Sequence, residues 1–354
     1  MDAMMPAKLW KAPYYLHLSK VPTAPLYVDV EPTNGCNLRC TICSMDESRA
    51  RGLMSLDLFR RIVDQCVEAG VPHISLFLSG EPTVHPKLTE MVAIAEAAGI
   101  ESGFHTNGML LNEERSRALI EAGLSQISFS IDGEDKETYE SIRVRGKWER
   151  LLGNVERFLE LKVERGTGKP WVTIQIIKMW RPEYSAGRKL TLYPEVAPHF
   201  KARFAHLPVD EWKVVLPHTW AGEMPDIQSK PKGSVYYPCQ HLWMGLSIAW
   251  DGRVLMCCND LNGKYVRGDV KQHTIKEIWN DRQSTYLRQL HRRKGYQSLP
   301  LCRDCDQVWQ EEHPLRSELR QLPLLQPAIR AYRAVRGTAA PQEAQAPAAP
   351  PSVP

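Results

Sequence analysis

The fold of this chain is most constrained by an alternation of short apolar runs with helical patterns through its first two-thirds. The helical stretches repeat apolar residues at i, i+3, i+4 and i+7, and LDLFRRIVDQCVEAG ends in Gly70 as a helix cap. Strand–helix repeats with short loops predict parallel strands joined by right-handed crossovers. Because six units are too few to close an eight-stranded barrel, the expected fold is α/β, a partial (β/α)6 barrel. The predicted strands cover residues 26–32, 73–80, 103–108, 126–133, 171–179 and 211–217.

The pattern changes near residue 232, where a hairpin, a helix and a cysteine-rich segment follow one another. Asp251 and Gly252 form the predicted hairpin turn, and TIKEIWNDRQSTYLRQL is predicted to be one helix. The Ala/Pro-rich end has too little apolar content to fold and is expected to be disordered. The expected division is a lead segment over 1–24, the barrel core over 25–231, a small cysteine-rich domain over 232–312, a helical segment over 313–336 and the tail over 337–354.

Composition and charge argue against several classes of protein. The 354 residues include 45 Lys plus Arg and 41 Asp plus Glu, so the net charge is +4, with both signs spread along the chain. A nucleic-acid partner would require clustered basic residues, so none is expected. No apolar run approaches the roughly 18 residues that a membrane span requires. The start MDAMMPAKLWKAPYY lacks the layout of a secretory signal, and a cytoplasmic location is expected.

The nine cysteines point to metal or redox chemistry rather than to disulfides. Their number is odd, and no export signal precedes them. In a reducing compartment, tight cysteine clusters usually bind metal or act in redox reactions. Eight of the nine fall into clusters. The exception, Cys66, lies on the apolar face of a predicted helix and is expected to be a core residue.

The first cluster, NGCNLRCTIC, places Cys36, Cys40 and Cys43 at the spacing C-x3-C-x2-C in the loop after the first strand. Loops at the carboxyl ends of parallel strands meet on one face, and the next three loops carry SGEP, TNG and SIDG. Three thiolates can bind three irons of a [4Fe–4S] cluster and leave the fourth iron open. A structural zinc site normally has four protein ligands, although a zinc knuckle remains an alternative.

The C-x3-C-x2-C loop after the first strand, with Gly-Glu-Pro after the second, resembles the radical S-adenosylmethionine (SAM) superfamily. The resemblance extends over about residues 26–217. It implies a [4Fe–4S] cluster on Cys36, Cys40 and Cys43 whose open iron binds the amino and carboxylate groups of SAM. In that superfamily one electron from the cluster cleaves SAM, and the resulting 5′-deoxyadenosyl radical abstracts a hydrogen atom from the substrate.

The same resemblance assigns SAM contacts residue by residue. Ser130, at the end of the fourth strand, matches a SAM-contacting serine, and Arg143 matches an arginine placed to meet the SAM carboxylate. Thr106 and Asn107 belong to a recurrent loop of the superfamily without a defined role. Relatives commonly have Gly-Gly-Glu-Pro, so a serine here replaces the first glycine. The segment that matches the receiver of the SAM amino group is Ser79, Gly80, Glu81 and Pro82.

The second set, Cys239, Cys257, Cys302 and Cys305, resembles the auxiliary-cluster extensions called SPASM and twitch domains. Cys257 matches their Gly-x4-Cys spacing, which leaves the adjacent Cys258 as a packed residue. No further cysteine follows, so the resemblance implies a second, auxiliary [4Fe–4S] cluster without an open iron, suited to electron transfer or structure. A structural zinc ribbon is the alternative, because four cysteines with a CxxC also suit tetrahedral zinc.

A radical SAM core with one auxiliary cluster most resembles the dehydrogenase of 2-deoxy-scyllo-inosamine in aminoglycoside biosynthesis. The implied function is oxidation of a hydroxylated small molecule, an aminocyclitol, sugar or nucleotide sugar. The auxiliary cluster would take the second electron, and a flavodoxin or ferredoxin would be the electron donor.

Two other functions remain open. One is a radical SAM maturase of a ribosomally made peptide, forming a thioether, a C–C crosslink or an epimerised residue. Only about 25 residues precede the first strand, too few for the leader-binding domain that many such maturases have. The other is a zinc-binding interaction protein without catalysis.

Four further side chains near the predicted strand ends have no defined role. His85 follows the Gly-Glu-Pro segment and is interpreted as a loop residue rather than a base. Lys178 on the fifth strand, and His218 and Trp220 after the sixth, face either the barrel cavity or the packing at its rim. The residue that accepts a proton from the substrate is not identified by the sequence.

Overall fold

The computed structural model describes residues 11–46, 48–179, 181, 185–186, 189–190, 194–227, 233, 235–310 and 313–314. The predicted tail and nearly all of the predicted helical segment before it lie outside the described residues. The helices are α1 Ala12–Tyr15, α2 Leu56–Ala69, α3 Leu88–Ala97, α4 Glu113–Glu121, α5 Lys136–Ile142, α6 Trp148–Arg165, α7 Pro198–Arg203, α8 His241–Met244, α9 Ile275–Trp279, α10 Arg282–Arg292 and α11 Pro300–Arg303. The strands are β1 Tyr27–Val30, β2 Arg39–Cys40, β3 His73–Ser75, β4 Glu101–Thr106, β5 Gln126–Ser130, β6 Arg143–Val144, β7 Trp171–Ile177, β8 Ser185–Ala186, β9 Lys189–Leu190, β10 Glu211–Val215, β11 Val235–Tyr236, β12 Gly245–Ile248, β13 Arg253–Leu255, β14 Val266–Asp269 and β15 Trp309–Gln310.

Nine of these strands form one sheet, in the order β10-β7-β5-β4-β3-β1-β12-β13-β14. The six predicted strands are β1, β3, β4, β5, β7 and β10, and each is parallel to the next along the chain. This arrangement confirms the partial barrel that the strand–helix alternation predicts. The predicted second strand is too long, because the observed one ends at Ser75. Gly80 at its predicted end has a φ of +76°, which lies outside the extended region.

Local signals explain where the crossover helices begin and end. At the start of α2 the Ser55 side chain accepts a hydrogen bond from Leu58 N, and Gly70 ends the helix with a left-handed φ of +77°. The apolar face of α2 is buried, and Cys66 on that face is 0% exposed, which confirms it as a core residue. Within the described part of the chain, no helix combines the length and the apolar character that a membrane crossing requires.

The predicted C-terminal hairpin joins the barrel sheet, which the sequence does not indicate. β12 pairs in parallel with β1, so that Tyr27 lies opposite Gly245 and Val30 opposite Ile248. β13 returns antiparallel to β12, and Gly252 occupies the turn with a φ of +91°. The cysteine-rich region is therefore attached to the first barrel strand by backbone hydrogen bonds.

The single helix predicted over TIKEIWNDRQSTYLRQL is two helices, α9 and α10. The break falls at Asp281, whose side chain accepts a hydrogen bond from Ser284 N at 2.6 Å and so begins a new helix. Thr274 caps the start of α9 in the same way, with Glu277 completing a capping box. The prediction was wrong because the apolar periodicity alone does not show that an aspartate in the middle of the segment acts as a cap.

Candidate functional site

Cys36, Cys40 and Cys43 lie in the loop that follows β1, and all three are partly buried free thiols. The short ladder between β2 and β6 sets Cys40 opposite Arg143. The loop then turns back on itself, because Cys43 N donates to Cys40 O at 3.3 Å. Leu38 N also donates to Cys36 Sγ, at 3.4 Å. Local backbone geometry therefore holds this trio next to the end of the first strand.

Electrostatics around the trio suit a bound cluster. Burial raises the pKa of all three thiols, that of Cys40 to about 11. Arg143 opposes the rise at Cys40, whereas Cys43 and Cys36 add to it, so the three sulfurs are within electrostatic reach of one another. Thiolates in such a place at neutral pH require a metal to compensate their charge. Three cysteines of this kind suit an iron–sulfur cluster with one open iron.

The turn at Gly80 and Glu81, after β3, packs on the backbone of the cysteine loop. Glu81 N donates to Gly35 O at 2.8 Å. Gly80 has a φ of +76°, and a Cβ there would lie 2.6 Å from Gly35 O. Only glycine fits this conformation and this close approach. Pro82 then opens the short 3₁₀ helix Pro82–Val84. The Gly-Glu-Pro motif thus has a steric reason, and the fold brings it to the cysteine loop.

The Glu81 carboxylate joins its own turn to the loop after β4 through hydrogen bonds and is only 3% exposed. Its Oε1 accepts from Thr83 N at 3.1 Å and from Thr106 Oγ1 at 2.7 Å. Its Oε2 accepts from Asn107 N at 2.7 Å. Asn107 Nδ2 in turn donates to Asn37 Oδ1 in the cysteine loop at 2.9 Å. Thr106 and Asn107, which have no defined role on the basis of the sequence, therefore hold the Gly-Glu-Pro turn against the cysteine loop.

Ser79, which replaces the usual glycine, uses its hydroxyl within the protein. It donates to the Glu31 carboxylate and accepts from Arg49 Nη2 at 3.1 Å. Arg49 also pairs with Glu31, and both side chains are buried. Trp250 N, in the C-terminal hairpin, donates to the other Glu31 oxygen at 3.1 Å. The serine therefore belongs to a buried polar cluster where the barrel meets the C-terminal hairpin.

Arg143 reaches the cysteine loop, and its guanidinium is paired with Asp132. Arg143 Nε donates to Asp132 Oδ2 at 2.6 Å, and the Asp132 side chain is fully buried. Ile177 N donates to the other Asp132 oxygen at 3.3 Å. Ser130, at the end of β5, is 8% exposed. Asp132 was not among the predicted site residues, although it lies in the SIDG motif that ends the fourth predicted strand.

Cys239, Cys257, Cys302 and Cys305 come from separate segments and line one cavity. Burial raises the pKa of Cys239, Cys302 and Cys305, and a hydrogen bond with Cys258, followed by burial, raises that of Cys257. Four thiols that face one cavity are the donor set of a [4Fe–4S] cluster or of tetrahedral zinc. Apart from two imidazoles, the rest of the wall is apolar. It consists of Ala221, His241, Leu242, Met256, Leu287, His291, Leu299, Leu301 and Val308.

The two adjacent cysteines face different surroundings. Cys257 lines the four-cysteine cavity, whereas Cys258 is not part of its lining. Cys258 instead lies beside Asp29 and His241, with one ligand atom of each residue within 4.8 Å of the others. The two residues lie in the loop after β13, which ends at Leu255, and the Cys257 thiol remains hydrogen-bonded to Cys258. The placement agrees with the spacing that assigns Cys257 to the cluster.

A second cavity, of about 670 Å³, adjoins the four-cysteine cavity and shares Cys239, Cys257 and Cys305 with it. Its volume lies in the range of about 300–1,000 Å³ that is usual for small-molecule pockets. The wall offers hydroxyl, imidazole and amide groups. They come from Tyr14, Tyr15, Tyr27, His218, Gln240, His241, Gln307 and Gln310.

One wall of this polar cavity is bonded to the first cysteine loop. His218 lines the cavity, and its Nδ1 accepts from Trp220 N at 3.1 Å. Trp220 Nε1 donates to Ile42 O, between the second and third cysteines of the loop, at 2.8 Å. His218 thus faces the polar cavity, whereas Trp220 connects His218 to the first cysteine loop.

A chain of hydrogen bonds leads from the polar cavity to a buried acid. Tyr27 Oη lies 3.2 Å from His241 Nδ1, and His241 Nε2 lies 3.2 Å from Ser247 Oγ. Ser247 Oγ donates to Asp29 Oδ2 at 3.1 Å. Burial raises the pKa of Asp29 to about 7, against the effect of the Ser247 hydrogen bond. A carboxyl with these properties can accept a proton near neutral pH, and no motif in the sequence marks it.

His85 and Lys178 make structural contacts. His85 Nε2 pairs with Met54 O at 2.9 Å, and its Nδ1 accepts from Lys87 N at 3.1 Å. Both ring nitrogens are therefore used by the backbone, in agreement with its interpretation as a loop residue. Lys178 Nζ pairs with Glu134 Oε2 at 2.8 Å, so its charge is compensated by a neighbouring loop.

Comparison with known proteins identifies two family models, one for each cysteine-rich part of the chain. Residues 30–178 match the family model of the radical SAM superfamily, and residues 239–306 match that of an iron–sulfur cluster-binding domain, SPASM. The chain is 26% identical, over 330 residues, to a tungsten-containing aldehyde ferredoxin oxidoreductase cofactor-modifying protein of Pyrococcus furiosus. That alignment covers 79% of this chain and 86% of the relative.

Two solved structures share the fold. BtrN, crystallised with AdoMet and 2-DOIA, matches with a TM-score of 0.53 and 20% identity, over 82% of this chain and 97% of BtrN. SuiB of Streptococcus suis, crystallised with its precursor peptide SuiA, matches with a TM-score of 0.59 and 15% identity, over 79% of this chain and 70% of SuiB. The two family models and the shared fold agree with the two sets of cysteines. The chain therefore carries a radical SAM domain followed by a SPASM domain, and its cofactors are [4Fe–4S] clusters and SAM.

Proposed function

We propose that this protein is a radical SAM oxidoreductase that oxidises a hydroxylated small molecule, an aminocyclitol, sugar or nucleotide sugar. The observation that carries the proposal is the polar cavity of about 670 Å³, which shares three cysteines with the four-cysteine cavity. A substrate bound there would lie beside the auxiliary site, which is proposed to take up the second electron. When bound, SAM and its cluster supply the radical that removes a hydrogen atom. A flavodoxin or ferredoxin is the proposed electron donor.

On this proposal, Cys36, Cys40 and Cys43 hold the SAM-binding cluster. The turn of Ser79, Gly80, Glu81 and Pro82 presents backbone groups to the SAM amino group, and the buried hydrogen bonds of Glu81 keep that turn in place. Arg143 is the proposed partner of the SAM carboxylate, oriented by Asp132. Ser130, buried at the end of β5, is the proposed further contact. Cys239, Cys257, Cys302 and Cys305 hold the auxiliary cluster.

Oxidation of an alcohol carbon to a ketone also releases the hydroxyl proton. Since Ser247 donates to Asp29, its oxygen can accept from His241 Nε2, which leaves His241 Nδ1 to accept from Tyr27. A proton that arrives at the Tyr27 oxygen can therefore move along this chain and end on Asp29. The proposal thus supplies an acceptor for the proton within the described residues.

A small molecule is the preferred substrate because of the size and polarity of the cavity. The Pyrococcus furiosus relative, by its name, modifies a cofactor, which agrees with a substrate that is not a peptide. Peptide maturation is the second candidate, because SuiB shares the fold and was crystallised with its precursor peptide. The two candidates differ in which compound loses the hydrogen atom.

The test is an anaerobic assay of the reconstituted protein with SAM and dithionite, in which 5′-deoxyadenosine is followed by mass. The probes are 2-deoxy-scyllo-inosamine and a nucleotide sugar, each deuterated at its carbinol carbons, and a deuterated cysteine-containing peptide. We expect deuterium in 5′-deoxyadenosine, together with an equal amount of ketone, from a cyclitol or sugar probe. Deuterium transfer from the peptide alone would replace the proposal with the maturase, and an absence of 5′-deoxyadenosine would contradict both.

A further inference from the structure

β14 reverses the usual placement of apolar and charged side chains. Val266 is 41% exposed, whereas the neighbouring Arg267 is 3% exposed. A strand at the end of a sheet normally turns its apolar residues inward and its charged residues to solvent. Burial of a charge is costly, so a position with the inverted pattern points to a function.

A β-bulge produces this inversion. The ladder between β13 and β14 pairs Leu255 with Val266 and Val254 with Gly268. Arg267 is therefore an extra residue that has no partner on the neighbouring strand. Bulges re-aim side chains and are frequent beside functional sites. Here the bulge turns the guanidinium into the interior of the protein.

The buried guanidinium is almost without hydrogen-bond partners in the part of the chain that the structure describes. Nε and Nη1 of Arg267 have none. Nη2 reaches only Gly245 O, at 3.5 Å, which is beyond the usual range for a hydrogen bond. Arg288, which is equally buried, shows the ordinary arrangement: it donates to Leu242 O at 2.7 Å and to Trp279 O at 2.8 Å. Arg267 is thus a donor that still requires an acceptor.

The charges around Arg267 compensate its positive charge only in part. Burial lowers the pKa of Arg267 to about 10, and Asp281, Cys257 and Cys239 act in the opposite direction. The Asp281 carboxylate also raises the pKa of Arg288, whereas burial and the charge of Arg267 lower it. Two buried arginines therefore share one carboxylate, and that carboxylate already caps α10. Among the described residues, the other acidic groups that act on Arg267 are the thiols of Cys257 and Cys239. Gly245, which Nη2 approaches, directly follows α8, and His241 at the start of α8 lines the four-cysteine cavity.

We propose that Arg267 is the counter-ion of the auxiliary cluster and that it raises the reduction potential of that cluster. A [4Fe–4S] cluster on four thiolates is negatively charged, and it becomes more negative when it is reduced. A fixed buried cation stabilises the more negative form to a greater extent. The cluster then accepts an electron from substrate more readily.

Arg267 is in this sense a positioning residue, because it acts through the cluster and touches no substrate. The inference rests on the proposed assignment of that cluster to Cys239, Cys257, Cys302 and Cys305. Its test has to separate a failure of that assignment from a failure of the role of Arg267. The readout is therefore a potential, which a purely structural role would not move.

The experiment is an EPR-monitored redox titration of the reconstituted full-length protein. The auxiliary signal is defined as the one that the Cys302→Ala/Cys305→Ala variant lacks. Arg267→Met should shift the midpoint potential of that signal to more negative values and leave the SAM-binding cluster unchanged. Arg267→Lys, which keeps the charge, should retain most of the parent potential. Arg253→Met is the matched control, because it removes a partly exposed arginine from the neighbouring strand and should shift neither potential.

Each alternative outcome is decisive. An unchanged auxiliary potential in Arg267→Met, with the cluster assembled, overturns the inference and leaves the proposed function intact. If Arg267→Met does not assemble the cluster, recovery of both assembly and potential in Arg267→Lys supports the counter-ion role. Failure of assembly in both variants shows a packing role and overturns it. If the parent protein lacks a second iron–sulfur signal, the auxiliary-cluster assignment fails, and the inference fails with it.

Discussion

The two cysteine-rich sites of this protein are built in opposite ways. The first takes its three thiols from the eight consecutive residues 36–43, and polar groups such as Glu81 and the Arg143–Asp132 pair surround it. The second collects four thiols from separate segments into a cavity with a mainly apolar wall. Arg267 is a buried cation within electrostatic reach of Cys257 and Cys239 of that second site.

The difference shows that the spacing of the ligands along the chain affects how enclosed a site is. A site made by one loop needs little of the fold to form and can leave one side open for SAM. A site assembled from distant segments exists only in the folded chain. Four protein ligands leave no iron open, which agrees with the proposed uptake of an electron rather than with coordination of substrate. Variants that lose one site or the other distinguish SAM binding at the first site from electron uptake at the second.

Loss of the first site should have the largest effect. Replacing Cys36, Cys40 and Cys43 together with Ala should abolish SAM cleavage and leave about half of the iron, because the other cluster keeps its own ligands. Iron analysis and 5′-deoxyadenosine formation measure the two quantities. If SAM cleavage persisted in this variant, the assignment of the trio to the SAM-binding cluster would be wrong.

Loss of the second site should separate cleavage from net oxidation. In the Cys302→Ala/Cys305→Ala variant we expect SAM cleavage to remain measurable, while the ketone product falls to the detection limit and the iron falls by about half. The reason is that the acceptor of the second electron is missing, whereas the radical source remains. A product yield equal to that of the parent would contradict the proposed electron-accepting role of the second site. Unchanged iron content together with a loss of zinc would identify the site as a zinc ribbon.

The adjacent cysteines provide a matched pair. Cys257→Ser should lower the iron content and remove the auxiliary EPR signal, because this thiol faces the four-cysteine cavity. Cys258→Ser, one residue away, should keep the signal, since this side chain lies toward Asp29 and His241. The reverse result would assign Cys258 as the ligand.

Gly80 tests the contact between the first cysteine loop and its neighbouring turn. Gly80→Ala combines a left-handed backbone with a Cβ placed 2.6 Å from Gly35 O. We expect a loss of about 3 kcal/mol in the free energy of unfolding, measured in urea, and weaker SAM cleavage. Gly70→Ala is the control, because Gly70 has the same φ but open space around it, and it should lose only about 1–2 kcal/mol. Equal losses in both variants would show that the approach of the two loops is unimportant.

Ser79→Gly should have the smallest effect. This change restores the glycine that is usual in relatives and removes the hydroxyl contacts with Glu31 and Arg49. We expect a loss of about 1 kcal/mol in stability, because a buried pair loses one hydrogen-bond partner. The affinity for SAM, measured by equilibrium binding, should change by less than about tenfold. A larger loss of affinity would identify the hydroxyl as a direct SAM contact.

Much of the fold could be predicted because its signals are local. Apolar periodicity and terminal glycines predict the six parallel strands and the helices between them, and the C-x3-C-x2-C spacing identifies the first site. The parallel pairing of β12 with β1 could not be predicted, because Tyr27 and Gly245 are far apart in sequence and no local pattern records their contact. The break between α9 and α10 was missed, because the cap at Asp281 is visible only once the backbone around it is known.

The candidate sites show the same limit. Glu81 could be identified from its motif, yet its hydrogen bonds to Thr106 and Asn107 depend on two loops that meet at the strand ends. Asp29 and Arg267 belong to no motif, and each is notable only because the fold buries it. Burial of a charged group is a property of the whole structure. Sequence reasoning therefore finds the candidate ligands, which lie in motifs, more readily than buried charged residues such as these two.

The pairing of β12 with β1 has a consequence for any attempt to obtain a minimal enzyme. Truncation before β12 would leave the backbone N–H and C=O groups along one side of Tyr27–Val30 without partners. An exposed strand of this kind recruits a strand from another molecule, so the shortened protein should aggregate. The radical SAM region and its C-terminal extension would therefore have been constrained to remain together by solubility as well as by chemistry.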